Sequence, residues 1–211
     1  MRTVILTILL SLGLAACGTP ADLSRLSMPD LSMPALFSGG VKQTVMLDDN
    51  AEFTLPGNPW AGDDNLDISQ QIQARWAKDE QGTFQARIAL APGAVKIVMI
   101  DDLGRRAIDI DWDADALTIQ TADWLPETFD ARRLLADIVM VYWPLDALKK
   151  ALPGSMSVTE ILEQRVIRIN ATGRIYARID RPSRDIWQGV ASLRNERFGY
   201  DIAIRSQRMD P

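Results

Sequence analysis

The sequence predicts a mainly β fold of the α+β class, with a helical segment inserted between strands. Three observations carry this prediction. Apolar and polar residues alternate with a period of two in five separate segments, turn signals containing glycine separate most of these segments, and residues 130–152 have helical spacing instead. The chain has 211 residues, of which 47% are hydrophobic, so it is long enough to bury the core of one ordinary domain.

The strand predictions follow from the alternation. Each segment has one apolar and one polar face, as expected of an antiparallel sheet with solvent on one side. The segments are 84–90, 108–113, 167–170, 174–179 and 200–204. The turn signals are Gln81-Gly82, Ala91-Pro92-Gly93, Leu103-Gly104, Thr172-Gly173 and Phe198-Gly199.

The helical prediction depends on the spacing of Leu134, Leu135, Ile138 and Val141, which places them on one side of a helix over 130–141. Asp130 is the predicted N-cap, because its carboxylate can accept from the first free backbone N–H groups. A proline at 144 ends this helix, and 145–152 is predicted to form a second short helix that closes at the following Pro-Gly.

The N-terminal residues predict export and an anchor. Residues 1–16 have a positive start and an apolar stretch too short to span a membrane, which indicates a signal peptide. Cys17 follows Leu14-Ala15-Ala16 and resembles the bacterial lipobox, which implies that Cys17 carries acyl chains such as palmitate. Gly18 in the next position implies sorting to the outer membrane. The protein is therefore expected to face the periplasm on a lipid anchor.

Residues 17–40 form a predicted tether rich in proline and serine, in which a Leu-Ser-Met-Pro sequence occurs twice. The tether either spaces the folded domain from the membrane or docks on the domain or the bilayer. Residues 41–211 are predicted to form a single domain, and we expect a monomer.

Composition excludes several classes of function. The chain has no histidine, and its one cysteine is at the lipidation position, so zinc sites built on His and Cys, Ser-His-Asp catalysis and disulfide frameworks are excluded. A net charge of −5 argues against binding to nucleic acid. We expect no enzymatic activity, no catalytic residues and no cofactor.

An acidic run has the spacing that opens a calcium-binding loop, at Asp109, Asp111 and Asp113. The sixth position of the loop is Ala114 where glycine is needed, and the twelfth is Gln120 where glutamate is needed. We therefore expect an acidic strand face and no metal ligands.

Large, adaptable apolar side chains predict either a ligand cavity or a filled core. The candidate cavity residues are Met99, Trp112, Leu135, Met140, Trp143 and Tyr200.

Several stretches, taken in order, resemble a known group. Residues 139–148 followed by Leu-Pro-Gly at 152–154, and 98–104 upstream, resemble the LolB-type outer-membrane lipoprotein receptors. The helix end from Asp137 to Pro144, the later Arg165 and the closing Gly199-Tyr200-x-Ile-x-Ile resemble a related family of uncharacterised lipoproteins often encoded beside aryl-polyene biosynthesis genes.

The resemblance implies an incomplete antiparallel β-barrel, LolA/LolB-like, with a helical lid over an apolar cavity. It implies binding of acyl-chain, polyene or lipoprotein cargo and assistance in its transfer or insertion at the outer membrane, with the bilayer as partner through Cys17. Leu103 takes the position of an exposed tip that touches membrane or cargo, although it could equally cap a tight turn. The alternative is a structural or interaction module of an envelope complex, with a filled core and no ligand.

Overall fold

The computed structural model describes residues 43–76, 80–126 and 129–209. The predicted signal peptide at 1–16, the lipidation at Cys17 and the tether at 17–40 lie outside the described residues, so they remain predictions. Among the described residues, no helix has both the length and the apolar character needed to cross a membrane.

Twelve strands and two helices make up the described part of the chain. In chain order they are β1 (Thr44–Asp48), β2 (Ala51–Thr54), β3 (Leu66–Trp76), β4 (Glu80–Ala91), β5 (Ala94–Asp101), β6 (Arg106–Asp113), β7 (Leu117–Thr121), α1 (Ala131–Tyr142), α2 (Leu145–Ala151), β8 (Met156–Ile161), β9 (Gln164–Ile169), β10 (Ile175–Asp180), β11 (Gly189–Asn195) and β12 (Tyr200–Arg208).

Ten of the strands form one antiparallel sheet in the order β7-β6-β5-β4-β3-β12-β11-β10-β9-β8. The first and last strands of this order are edges, so the sheet is not closed, and both helices pack against its inner face. The remaining strands, β1 and β2, form a separate hairpin that packs with the helices. The predicted architecture, an incomplete antiparallel β-barrel with helices inserted between strands, is confirmed.

Both helices lie where the spacing predicts them. The Asp130 carboxylate accepts from the backbone N–H groups of Arg132 at 3.0 Å and Arg133 at 3.1 Å, which caps α1 as expected. Helix α2 follows Pro144 directly.

One turn prediction was wrong. Gly82 lies inside β4 instead of ending a strand, and it pairs with Ala74 of β3. A Cβ at this position would come within 3.0 Å of the Phe84 and Trp76 rings, so glycine is explained here by close packing and not by a turn. The turn signal at Gly104 is confirmed, since that residue has a φ of 76° between β5 and β6.

Two arginines of the sheet hold the C-terminal end of α1. Arg165 on β9 is 1% exposed and donates to the backbone carbonyls of Met140 at 2.6 Å and Trp143 at 3.0 Å. Arg181, just after β10, donates to the carbonyl of Val141 at 3.2 Å. The last turn of α1 has no basic residue of its own, so the sheet supplies the positive charge that the negative end of a helix favours.

Candidate functional site

An apolar pocket opens between the inner face of the sheet, the N-terminal half of α1 and the segment that follows β7. Its volume is about 540 Å³, within the range of about 300–1,000 Å³ that is usual for small-molecule sites. Several lining residues are exposed, including Trp124 and Phe198, so the pocket is connected to solvent.

The strand register explains how the sheet builds the wall of the pocket. Ala74 on β3 lies opposite Ile202 on β12, and directly paired residues of antiparallel strands point to the same side. Across the wall, twelve lining residues are apolar, namely Ile72, Ala74, Trp76, Phe84, Met99, Trp124, Leu125, Pro126, Phe129, Leu134, Phe198 and Ile202.

Polar groups are gathered where α1 meets β12. Asp137 on α1 is 4% exposed, and its Oδ2 accepts a hydrogen bond from the Tyr200 hydroxyl at 2.5 Å. The Asn195 side-chain amide donates to the same hydroxyl at 3.0 Å, so the hydroxyl proton is directed toward Asp137. The Oδ1 atom of Asp137 has no hydrogen-bond partner among the described residues.

Burial controls the ionisation of this pair. Loss of hydration raises the pKa of Asp137 to about 7, against the opposing effects of the Tyr200 hydrogen bond and the positive charge of Arg133. Burial and the neighbouring Asp137 carboxylate also raise the pKa of Tyr200 well above its usual range. The tyrosine therefore stays protonated, while the aspartate titrates near neutral pH.

The turn between β11 and β12 fixes one side of the pocket. The side-chain oxygen Oδ1 of Asn195 accepts from the backbone N–H groups of Arg197 at 3.1 Å and Phe198 at 3.0 Å. Phe198 is thereby held against Arg133, whose guanidinium lies 3.6 Å from the ring centroid.

The structure separates the predicted cavity residues into two groups. Met99 and Tyr200 line the pocket. The other four are buried in the continuous hydrophobic core that the sheet, the hairpin and the helices share, and are not among the lining residues: Trp112, Leu135, Met140 and Trp143. Aromatic packing accounts for the placement of two of them, because the rings of Trp112 and Trp143 stack with their centroids 6.0 Å apart.

Leu103 lies at the tip of the β5–β6 turn and is 74% exposed. The buried Asp101 carboxylate holds this turn, accepting from the backbone N–H groups of Leu103 at 3.0 Å and Arg105 at 2.7 Å. The Arg105 guanidinium also pairs with Asp101 and lies 4.3 Å from the centroid of a Trp124 ring. The exposed turn is thus joined to the rim of the pocket.

The acidic run on β6 has partners within the chain. Asp109 pairs with Arg106, Asp111 pairs with Lys96, and the Asp113 carboxylate accepts from two backbone N–H groups of the following turn. Within the described ranges, no group of three or more acidic, histidine or cysteine residues is arranged to hold a metal ion.

Sequence reasoning placed Asp137 in a family motif but did not identify it as a pocket residue. The signal was its position on a helix face, three residues after Leu134 and four before Val141, where an acid interrupts an apolar stripe. The wall residues on β3, Ile72, Ala74 and Trp76, do alternate with polar residues, but this strand was not among the predicted segments.

We expect the pKa of Asp137 to make stability depend on pH. The native pKa near 7 lies above the unfolded value near 3.8, so the native state binds the proton more tightly between these values. Proton binding by Asp137 therefore stabilises the native state fully below about pH 4, and this stabilisation is lost as the pH rises through 7. The free energy of unfolding should fall by about 3 kcal/mol between pH 5 and pH 8. Urea unfolding should show that Asp137→Asn lacks this loss.

The chain has no histidine, so few other side chains titrate in this window. The control is Asp102→Asn, on the exposed β5–β6 turn, which should keep the wild-type profile. An Asp137→Asn variant whose stability falls between pH 5 and 8 as much as the wild type would contradict the assignment.

Comparison with known proteins places the chain in a family. No curated protein matches the sequence. Among solved structures, a LolA superfamily protein from Nitrosomonas europaea is similar, with a TM-score of 0.41 and 6% identity, over 69% of this chain and 84% of that chain. Residues 67–208 match the family described as "Protein of unknown function (DUF3261)", in agreement with the resemblance to an uncharacterised family. This match spans most of the chain, which therefore belongs to the DUF3261 family.

Proposed function

We propose that the protein is a lipid-anchored, non-enzymatic carrier that binds an acyl or polyene chain, free or as part of a lipidated cargo, in the pocket of its incomplete barrel. The observation that carries the proposal is the solvent-connected apolar pocket of about 540 Å³, whose wall is built mainly from apolar side chains. The anchor would be the acylated Cys17, which would hold the carrier at the periplasmic face of the outer membrane.

Burial of an apolar chain gives a sufficient driving force. Each methylene removed from water contributes about 0.8 kcal/mol, so about ten methylenes contribute about 8 kcal/mol before the entropic costs of association. The lining supports binding in preference to catalysis, because its buried acid is already engaged by Tyr200 and the surrounding side chains are apolar.

We further propose that the β5–β6 turn guides cargo into the pocket. Leu103 is exposed at its tip, and Arg105 connects the turn to Trp124 on the rim. Asp101 is paired with Arg105, but the exposed Asp102 directly precedes Leu103, so the carboxylate beside the tip opposes contact with an anionic membrane and favours contact with cargo.

The experiment is equilibrium binding of tritiated methyl oleate to the full chain held in amphipol, with empty amphipol subtracted. The proposal predicts saturable binding of one molecule per chain. Binding that rises linearly with probe concentration, with no saturation, would contradict a carrier function.

A second candidate function, a partner-binding module, is favoured by one observation. The β8–β9 hairpin carries Ile161 and Leu162 at its tip, exposed at 72% and 95%, and Leu162 has a φ of 55°, which non-glycine residues rarely adopt. Together the two side chains form a small exposed apolar surface that a partner can cover. If the Leu162→Gly variant no longer binds an envelope partner but still binds methyl oleate, the β8–β9 hairpin is the partner-binding site.

A further inference from the structure

The chain enters the described domain beside the helix end that forms part of the pocket. Gln43 is the first described residue, and its side-chain oxygen lies 3.5 Å from an Nη atom of Arg132, in the first turn of α1. Its backbone carbonyl accepts from the N–H of Leu55 at 2.8 Å, which fixes the entry point. Asp130 and Arg133, at the same end of α1, line the pocket. The segment before Gln43 therefore starts next to pocket residues.

This preceding segment carries apolar side chains of the kind that the pocket accepts. Residues 35–42 read Ala-Leu-Phe-Ser-Gly-Gly-Val-Lys and lie outside the described residues. Leu36 and Phe37 are adjacent large apolar residues, and Gly39 and Gly40 give the backbone after them the freedom to turn. A phenylalanine ring packs favourably against other aromatic rings. The aromatic residues that line the pocket are Trp76, Phe84, Trp124, Phe129 and Phe198.

The length of this segment allows it to reach the pocket. Phe37 precedes Gln43 by six residues, and six extended residues span about 20 Å. An α-helix with its side chains is only about 10–12 Å across. The segment can therefore pass around the start of α1 to the mouth of the pocket, where Trp124 and Phe198 are each 39% exposed.

We propose that Leu36 and Phe37 dock in the mouth of the pocket while it holds no cargo, and that cargo displaces them. This inference rests on the proposed function, because the segment and an acyl chain compete for the same apolar wall. Docking removes both side chains from water and covers the exposed rings of Trp124 and Phe198. The segment would thus protect the apolar wall of the empty carrier.

Attachment to the same chain makes even a weakly binding segment an effective competitor. A short flexible linker gives an effective concentration of the order of 1 mM. A segment with an intrinsic dissociation constant of about 0.1 mM would then occupy about nine tenths of the empty pockets. Because only about one tenth of the molecules present an open pocket, the apparent affinity for a competing lipid falls about tenfold.

The first test compares methyl oleate binding by the wild type and by the double variant Leu36→Ser, Phe37→Ser. Both are full chains held in amphipol, with the tritiated ester as the probe and empty amphipol subtracted. The double variant should bind the ester about tenfold more tightly than the wild type. The matched control is Leu23→Ser, Leu26→Ser, which removes two apolar side chains earlier in the tether and should bind as the wild type does.

The second test locates the segment by disulfide formation in an otherwise intact chain. Ser38→Cys keeps Leu36 and Phe37, and it is combined with Ala74→Cys on the wall of the pocket. Oxidation by copper phenanthroline should join these two cysteines within one chain, and saturating methyl oleate should prevent the reaction. The matched control combines Ser38→Cys with Ala203→Cys, on the exposed outer face of the sheet, and should stay reduced.

The outcomes distinguish this inference from the proposed function. Saturable binding with equal affinities in the wild type and in Leu36→Ser, Phe37→Ser would overturn the docked segment and leave the carrier function standing. Equal disulfide yields at Ala74→Cys and Ala203→Cys would do the same.

Two further outcomes are equally decisive. Disulfides between two chains, seen as dimers on a non-reducing gel, would overturn docking within one chain and assign the mouth of the pocket to a second copy. Absence of saturable binding by Leu36→Ser, Phe37→Ser, with the disulfide at Ala74→Cys formed within one chain, would contradict the carrier function and leave the docking of the segment standing.

Discussion

Arg165→Leu is expected to destabilise the protein by about 3–5 kcal/mol, the largest effect that we expect from a single substitution. Arg165 is 1% exposed and contacts Glu160 through two nitrogens, at 2.6 and 2.7 Å. The same guanidinium donates to two carbonyls at the end of α1. Leucine would leave those carbonyls buried without donors and Glu160 paired with Arg181 alone.

The measurement is urea unfolding, with the midpoint and the slope compared at neutral pH. Arg165→Lys should recover only part of the loss, because an ammonium group does not reproduce the fork of a guanidinium. The control on the same strand is Arg168→Leu, whose guanidinium contacts the Thr159 hydroxyl at 3.2 Å, with an expected change below about 0.5 kcal/mol. Arg165→Leu with stability within 1 kcal/mol of the wild type would show that the arginine does not hold the helix.

Ala74→Trp is expected to reduce methyl oleate binding at least tenfold. Ala74 lies on the wall of the pocket, between Gly82 on β4 and Ile202 on β12. An indole at this position projects into the space that the chain of the probe would occupy. The pocket is connected to solvent and not tightly packed, so the added volume should cost little stability compared with overpacking a core.

The matched control is Ala203→Trp, on the exposed outer face of the sheet beside Ile202. It adds the same side chain without entering the pocket, so binding should match that of the wild type. Circular dichroism should show that both variants are folded. Equal binding by Ala74→Trp and Ala203→Trp would mean that the probe binds elsewhere on the protein.

Local sequence signals are sufficient where one element determines its own structure. The spacing of Leu134, Leu135, Ile138 and Val141 predicts α1 because its buried stripe follows the helical repeat, and Asp130 caps it through contacts two and three residues away. Alternation of apolar and polar residues predicts parts of β4, β6, β9, β10 and β12, because the residues of each strand themselves determine which face is buried.

The signals fail where a partner lies far away in the chain. On β3 the row of buried apolar residues is interrupted by Gln70, whose amide donates to Tyr142 at 2.9 Å and Ser206 at 3.1 Å. A buried polar residue of this kind is understandable only once its partners are known. This explains why β3, the strand that provides much of the pocket wall, was missed.

The sequence also does not predict which inward-facing residues belong to the core and which line the pocket. Periodicity shows that Trp112 and Met99 face inward, but the helices cover only part of the inner face of the sheet. Trp112 lies under Trp143 and is buried in the core, whereas Met99 lies at the uncovered part and lines the pocket. Which residues bind a ligand therefore depends on where the helices pack.

The central claim, that the pocket carries an apolar chain, is tested most directly by native mass spectrometry of the full chain isolated from bacterial membranes, followed by lipid extraction. The account predicts one non-covalently bound lipid per chain in the wild type and in Ala203→Trp, and its loss in Ala74→Trp. Protein free of non-covalent lipid as isolated, and still free after incubation with methyl oleate, would contradict the carrier function.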